Sequence, residues 1–132
     1  MYRFLQASAV AAIITASPSA LATDLAAHAF NREVYEVVKD QAVLDAVRRI
    51  MPAAGFEVWS TWAKHGVSAP MEERDGIVFG FGCQPHNCST VHARLALDHN
   101  GNVWASLTED GRNTAYYGNP PDTVKPLLTI GD

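Results

Sequence analysis

The residues best suited to chemistry form one short segment, in which four residues lie between the only two cysteines of the 132-residue chain. The segment reads Cys83-Gln84-Pro85-His86-Asn87-Cys88. In an oxidising compartment, two cysteines at this spacing are most simply interpreted as a disulfide that closes a small ring. Within that ring Pro85 restricts one backbone angle, and His86 is the side chain best placed to face outward.

The ring could be a structural staple that carries an incidental exposed histidine. A disulfide that closes so short a loop, however, stabilises a protein by only about 2 kcal/mol in the chain-entropy model. Stiffening a loop for recognition explains the ring better, because a loop already in its bound shape loses little entropy when it docks.

Metal, redox and catalytic chemistry have weaker support. Cys83, His86 and Cys88 are capable metal ligands, but a structural zinc site needs four ligands and no second ligand pair follows. The C-x4-C spacing and the lack of a βαβ pattern disfavour a thioredoxin-like site. No nucleophile motif or phosphate-binding glycine loop is present, so we expect neither an enzyme nor a cofactor.

The other histidines do not gather into a motif. We expect each of them to be solvated or half-buried rather than a ligand, with His92 on the polar side of a strand. These histidines are His28, His65, His92 and His99.

The N-terminus predicts export. Arg3 precedes an uncharged apolar run that ends in an A-x-A site, the pattern of a signal peptide over residues 1–22, and the run is too short to span a membrane. The predicted periplasmic domain, residues 23–132, has a formal charge of −5, because cleavage removes one basic residue from a chain of charge −4. This charge argues against nucleic acid and anionic membranes as partners and favours a basic protein.

The elements that must position the ring begin with helices. Residues 24–39 carry apolar side chains at helical spacing, with Asp24 or Asn31 as a possible N-cap. A further helix is predicted to start at Asp40. Whether the two are separate helices or one bent helix is left open.

Pro52 and Gly55 are predicted to end this second helical segment. Residues 56–64 contain two tryptophans and are expected to form one or two helical turns or an irregular packed segment. A turn region follows, before the character of the chain changes.

From residue 71 onward, strands and tight turns are predicted. Three turn dipeptides and the ring separate five short strands, which indicates an antiparallel meander with the ring at a hairpin tip. The turns are Asp75-Gly76, Asn100-Gly101 and Asp110-Gly111, and the strands are expected at 71–74, 77–82, 90–98, 103–108 and 113–117. With N-terminal helices and a short C-terminal helix within 122–128, the fold class is α+β.

The pattern Cys-x-Pro-His-x-Cys in an exported domain of this size resembles the Ivy family, the inhibitors of vertebrate lysozyme. The segment Trp62-Ala63-Lys64-His65-Gly66, with Pro70 beyond it, looks like the family's Trp-x-x-Lys-Gly-Gly segment. The order of helices and meander also matches the family's sheet flanked by helices. The resemblance covers most of the predicted mature chain, and the ring is its specific part.

The resemblance implies a periplasmic inhibitor of c-type lysozyme. The sequence leaves open whether the protein is a monomer or a homodimer. In the family the loop enters the active-site cleft and its histidine hydrogen-bonds to the catalytic carboxylates, a role that would fall to His86. Pro85 and the Cys83–Cys88 bridge would hold that histidine in place.

Two positions depart from the usual family loop, Cys-Lys-Pro-His-Asp-Cys. Gln84 replaces lysine and Asn87 replaces aspartate, so both flanking charges are absent. Two alternatives therefore stay open. One is a regulator of the cell's own lytic transglycosylases, and the other is a periplasmic binding or structural module without a lysozyme target.

Overall fold

The computed structural model describes residues 24–129, so the predicted signal peptide lies outside the described residues. Their central feature is a six-stranded antiparallel sheet, which helices cover on one face. This arrangement confirms the α+β class and the antiparallel meander that the sequence predicted.

The elements have the following bounds. The helices are α1 (Leu25–Ala29), α2 (Val34–Val37), α3 (Gln41–Ile50) and α4 (Ala53–His65), with a 3-10 helix at Lys125–Leu128. The strands are β1 (Val67–Ser68), β2 (Glu72–Arg74), β3 (Ile77–Cys83), β4 (His92–Asp98), β5 (Val103–Thr108) and β6 (Thr114–Tyr117).

Two aspartates cap the first and third helices. The Asp24 carboxylate accepts a hydrogen bond from the Ala27 backbone N–H at 3.0 Å. The Asp40 carboxylate accepts one from the Ala42 N–H at 2.9 Å. Each satisfies a backbone donor that the first helical turn leaves without a partner, as the sequence predicted.

The helical pattern of residues 24–39 forms two short helices rather than one. The chain breaks at Asn31, whose φ of 62° is left-handed. There the Asn31 N–H donates to the Met71 carbonyl at 3.0 Å, and the Met71 N–H donates to the Arg32 carbonyl at 2.8 Å. These bonds to a distant segment replace the helical ones, which local periodicity does not reveal.

The region between Pro52 and the sheet is more helical than expected. Pro52 ends the preceding segment as predicted, but Gly55 does not, because it lies inside the 13-residue helix α4. The helix is held by Trp59, which is fully buried and donates its indole N–H to the Arg94 carbonyl at 3.0 Å. Helix length was therefore decided by packing on the sheet rather than by local composition.

Strand β3 is the strand on which the ring is built. On one side it pairs along its whole length with β4, and the order continues through β5 to β6. On its outer edge it pairs with β2 near its start and with β1 at its end, where Val67 lies opposite Cys83. Strand β1 falls in the predicted turn region, so the sheet has six strands rather than about five.

Both faces of the sheet are covered. The helices pack on the face that carries Val78, Leu95 and Leu97. The C-terminal segment lies against the opposite face, where Leu127 and Leu128 join the cluster of buried residues. The Ser106 hydroxyl anchors this segment by donating to the Leu128 carbonyl at 2.5 Å.

Helix α4 approaches β3 closely because the strand has glycine at position 82. A Cβ at Gly82 would lie 2.2 Å from the Trp62 carbonyl oxygen, far inside contact distance. The absence of a side chain therefore lets the helix backbone touch the strand backbone. This contact supports the strand one residue before Cys83, at the base of the ring.

Candidate functional site

The ring lies between β3 and β4, as the sequence predicted. Cys83 is the last residue of β3 and is buried, and it forms a disulfide with the exposed Cys88. Pro85 and His86 are exposed. The disulfide therefore ties one end of the loop to the edge of the core, and the two central side chains face solvent.

The centre of the ring is a tight turn. The Asn87 N–H donates to the Gln84 carbonyl at 3.0 Å, with Pro85 and His86 between them. His86 has a φ of 64°. Proline at the second position and a positive φ at the third are the features of a type II turn, whose third position favours glycine or asparagine. Histidine there carries backbone strain, so the surrounding contacts must hold it.

A side-chain hydrogen bond closes the same turn. The Asn87 amide nitrogen Nδ2 donates to the Gln84 amide oxygen Oε1 at 2.7 Å. Both residues are half-buried, in contrast to the exposed pair between them. The two positions that lack the usual family charges are therefore joined to each other by a neutral bond.

Backbone bonds hold the base of the loop. The Gln84 N–H donates to the Val91 carbonyl, and the Thr90 and Val91 N–H groups both donate to the Asn87 carbonyl, each at 3.0 Å. The turn between β5 and β6 supports this base, since the Gly111 N–H donates to the Thr90 carbonyl at 2.9 Å. The ring is thus fixed by its own strands and by the neighbouring hairpin.

That neighbouring hairpin is itself well ordered. The Asp110 carboxylate accepts hydrogen bonds from the backbone N–H groups of Arg112 at 2.9 Å and Asn113 at 2.7 Å, and from the Asn113 side chain at 2.8 Å. These donors, led by the Asn113 N–H, lower the pKa of Asp110 below its usual value. The carboxylate that shapes this turn therefore stays ionised near neutral pH.

His92 lies directly behind the ring, opposite Cys83 in the register of β3 and β4. It is only 3% exposed, and its Nε2 has no hydrogen-bond partner among the described residues. Burial, with a smaller contribution from the Arg94 charge, lowers the pKa of His92 to about 4. The expectation of a solvated or half-buried side chain was therefore wrong.

His92 lies on the second covered face of the sheet. Strand alternation placed His92 on the face opposite the helices, which was expected to be polar and open to water. The C-terminal segment covers that face, and Arg94 on the same face donates to the Leu127 carbonyl at 3.2 Å. The apolar residues at 124, 127 and 128 were the signal that could have predicted it, because they need a surface to cover.

The remaining histidines lie on elements other than the ring. His99 follows the far end of β4, where it lies 2.7 Å from the Glu73 carboxylate and 2.9 Å from that of Asp24. These hydrogen bonds raise the pKa of His99 to about 8. His28 and His65 lie on α1 and at the end of α4. The histidines therefore do not form one site with His86.

Within residues 24–129, no three or more His, Cys, Asp or Glu side chains are grouped so that they could hold a metal ion. None of the helices in the same range has the length and apolar character needed to cross a bilayer.

The fold and the site define a class: a small α+β domain that presents a rigid, disulfide-closed loop on the edge of its core. Residues 43–129 match the family model described as "Inhibitor of vertebrate lysozyme (Ivy)", and the chain belongs to this family. The match confirms the resemblance seen in the ring. Comparisons with curated proteins and with solved structures gave no match.

Family membership implies a lysozyme inhibitor, and hence a protein as the binding partner. The matched residues run from α3 to the end of the 3-10 helix, so they include the ring and all six strands. An inhibitor family is also consistent with a protein that is not an enzyme.

Proposed function

We propose that this protein inhibits c-type lysozyme by inserting the ring, residues 83–88, into the active-site cleft. His86 is the inserted side chain. The mature protein acts in the periplasm after export by residues 1–22, which lie outside the described residues.

One observation carries the proposal: Pro85 and His86 are the exposed centre of a turn, and backbone hydrogen bonds hold both ends of that turn. The disulfide, the Gln84–Asn87 bond and the backbone bonds of the base restrict the loop before it meets a partner. A loop with so little freedom loses little conformational entropy on binding.

The chemistry of the cleft fits an imidazole. A glycosidase presents one protonated carboxyl group and one carboxylate on either side of the bond that it cleaves. A neutral imidazole has one ring nitrogen that donates and one that accepts, so such a side chain can satisfy both groups. Occupation of this position excludes the sugar substrate.

The test is inhibition of c-type lysozyme on a cell-wall suspension, followed by turbidity. The variant to compare is His86→Gly, because glycine tolerates the left-handed φ while removing the imidazole. Loss of the hydrogen bonds to the carboxylate and to the protonated carboxyl group is expected to raise the inhibition constant about 100-fold. His86→Ala would mix this effect with backbone strain.

Ser89→Ala is the matched control, since Ser89 is exposed next to the ring and its hydroxyl makes no hydrogen bond within the described residues. This control should inhibit like the wild type. Full inhibition by a folded His86→Gly protein would remove His86 from the mechanism. No inhibition by the wild type would contradict the proposed function itself, and an assay of a lytic transglycosylase would then test the alternative target.

A further inference from the structure

We propose that Gln84 and Asn87 are positioning residues: their side-chain amides form a neutral clamp that holds His86 in its left-handed conformation and thereby sets inhibitory strength. This inference rests on the proposed function, and it assigns a role to the two positions where the loop departs from the usual family sequence.

The need for a clamp follows from the backbone. A left-handed φ at a residue other than glycine is uncommon, and His86 adopts one at 64°. The single backbone bond of the turn, from the Asn87 N–H to the Gln84 carbonyl, must hold this conformation against relaxation. A second bond across the same two residues strengthens the closed turn.

The clamp provides that second bond. Gln84 and Asn87 occupy the first and fourth positions of the turn, and the 2.7 Å contact between their amides spans it. Both side chains are half-buried, so water competes with the contact less than it would at an exposed site. Closing the turn twice raises the fraction of molecules in which His86 is ready to bind.

The clamp also leaves groups free for the partner. One amide contact uses one Asn87 N–H and one lone pair of Gln84 Oε1, which leaves the Gln84 amide nitrogen and Asn87 Oδ1 without a partner among the described residues. These groups lie on either side of His86 in the chain. The residues that flank the exposed Pro85–His86 pair therefore keep one donor and one acceptor, without any formal charge.

Uncharged flanks have a functional consequence. An ion pair at these positions would weaken in salt, whereas a hydrogen bond between two neutral amides does not depend on ionic strength. The apparent affinity of a binder equals its intrinsic affinity multiplied by the fraction of molecules in the competent conformation. The geometry of this loop, and its contribution to affinity, are therefore insensitive to salt.

The test is a double-mutant cycle on lysozyme inhibition with Gln84→Ala, Asn87→Ala and the double variant. Each single variant should weaken inhibition about tenfold, the net value of one hydrogen bond. The double variant should be weakened by less than the two single effects combined, because each change already removes the shared bond. Ser89→Ala is again the matched control.

Two further measurements separate positioning from a general loss of structure. The three-bond HN–Hα coupling constant of His86, which reports φ, should move away from the wild-type value in both single variants. The double variant Gln84→Lys/Asn87→Asp replaces the hydrogen bond between the two side-chain amides with an ion pair. Unlike the alanine variants, it should inhibit at low salt, and it should lose this inhibition at high salt.

Every outcome decides the inference. If the wild type inhibits and the single variants are unchanged, or their effects simply add, the clamp is wrong. If the wild type does not inhibit, the proposed function fails. The coupling constant of His86 is then the only test of the clamp. An unchanged value in both variants then overturns it, and a common shift supports it.

Discussion

At the scale of single residues, the ring and the histidine behind it have opposite surroundings. His86 is exposed and held in a strained turn, whereas His92, opposite Cys83, is buried without a hydrogen-bond partner for Nε2. The first can meet a partner, and the second can only affect the fold. A sequence shows two histidines six residues apart, and burial alone assigns them different roles.

The burial of His92 should make the free energy of unfolding of the protein sensitive to acid. Its pKa is about 4 in the folded state against an ordinary value of 6.5, so between these values the unfolded chain binds more protons. The contribution is fully present above pH 6.5 and is lost as the pH falls towards 4, by at most about 3 kcal/mol. Urea unfolding of the wild type at pH 7 and pH 4 measures this loss.

The comparison variant is His92→Gln, which cannot titrate in this range. Its free energy of unfolding should fall less between the two pH values than that of the wild type, although its stability at pH 7 is also expected to differ. His65→Gln, at an exposed position, serves as the control. Equal pH dependence in the wild type and His92→Gln would show that His92 does not carry this effect.

At the scale of elements, the contact between α4 and β3 is what gives the ring a firm base. The two backbones meet at Gly82 because no side chain separates them. The helix that makes the contact was expected only as one or two turns or an irregular segment.

Gly82→Ala is expected to destabilise the protein by about 1–3 kcal/mol, because its Cβ would lie 2.2 Å from the Trp62 carbonyl oxygen and the helix must move away. Gly55→Ala is the matched comparison variant, for which the opposite change in stability is expected. Its Cβ meets the Tyr117 hydroxyl at 3.5 Å and the Met51 methyl at 3.6 Å, both ordinary contacts within a helix. Gly55→Ala should therefore stabilise the protein by about 0.5–1 kcal/mol.

Thermal unfolding of the two glycine variants checks both signs at once. If Gly82→Ala is as stable as the wild type, close packing of α4 does not hold the ring strand. Weaker lysozyme inhibition by Gly82→Ala at a temperature where it is folded would link the helix contact to the position of the ring.

At the scale of the whole molecule, charge is expected to affect how fast the protein meets its partner. The predicted mature chain carries a formal charge of −5, so a basic lysozyme would attract it over distance. Raising the salt concentration from about 0.05 M to 0.5 M should lower the association rate constant about tenfold, while the dissociation rate constant changes little. Stopped-flow or surface-binding kinetics measure both. An association rate independent of salt would exclude electrostatic steering.

Several features could be predicted from the sequence because they depend on residues close together in the chain. The ring, its place in a hairpin, the three turn dipeptides and the two aspartate caps are local, and the structure places each of them as expected. The α+β class followed from the change of apolar spacing from helix to strand. The family was visible in the ring itself, and the family match confirmed it.

Other features depend on residues distant in the chain, and only the tertiary structure decided them. Pairing with Met71 broke the first predicted helix at Asn31, and packing on the sheet extended α4 through Gly55. The C-terminal segment, more than 30 residues away, buried the face that carries His92. In the ring, the residue types were known from the start, but the left-handed φ of His86 and the amide contact appear only when the loop is closed. Backbone and polar groups take whichever partners folding brings near, and spacing along the chain does not record those partners.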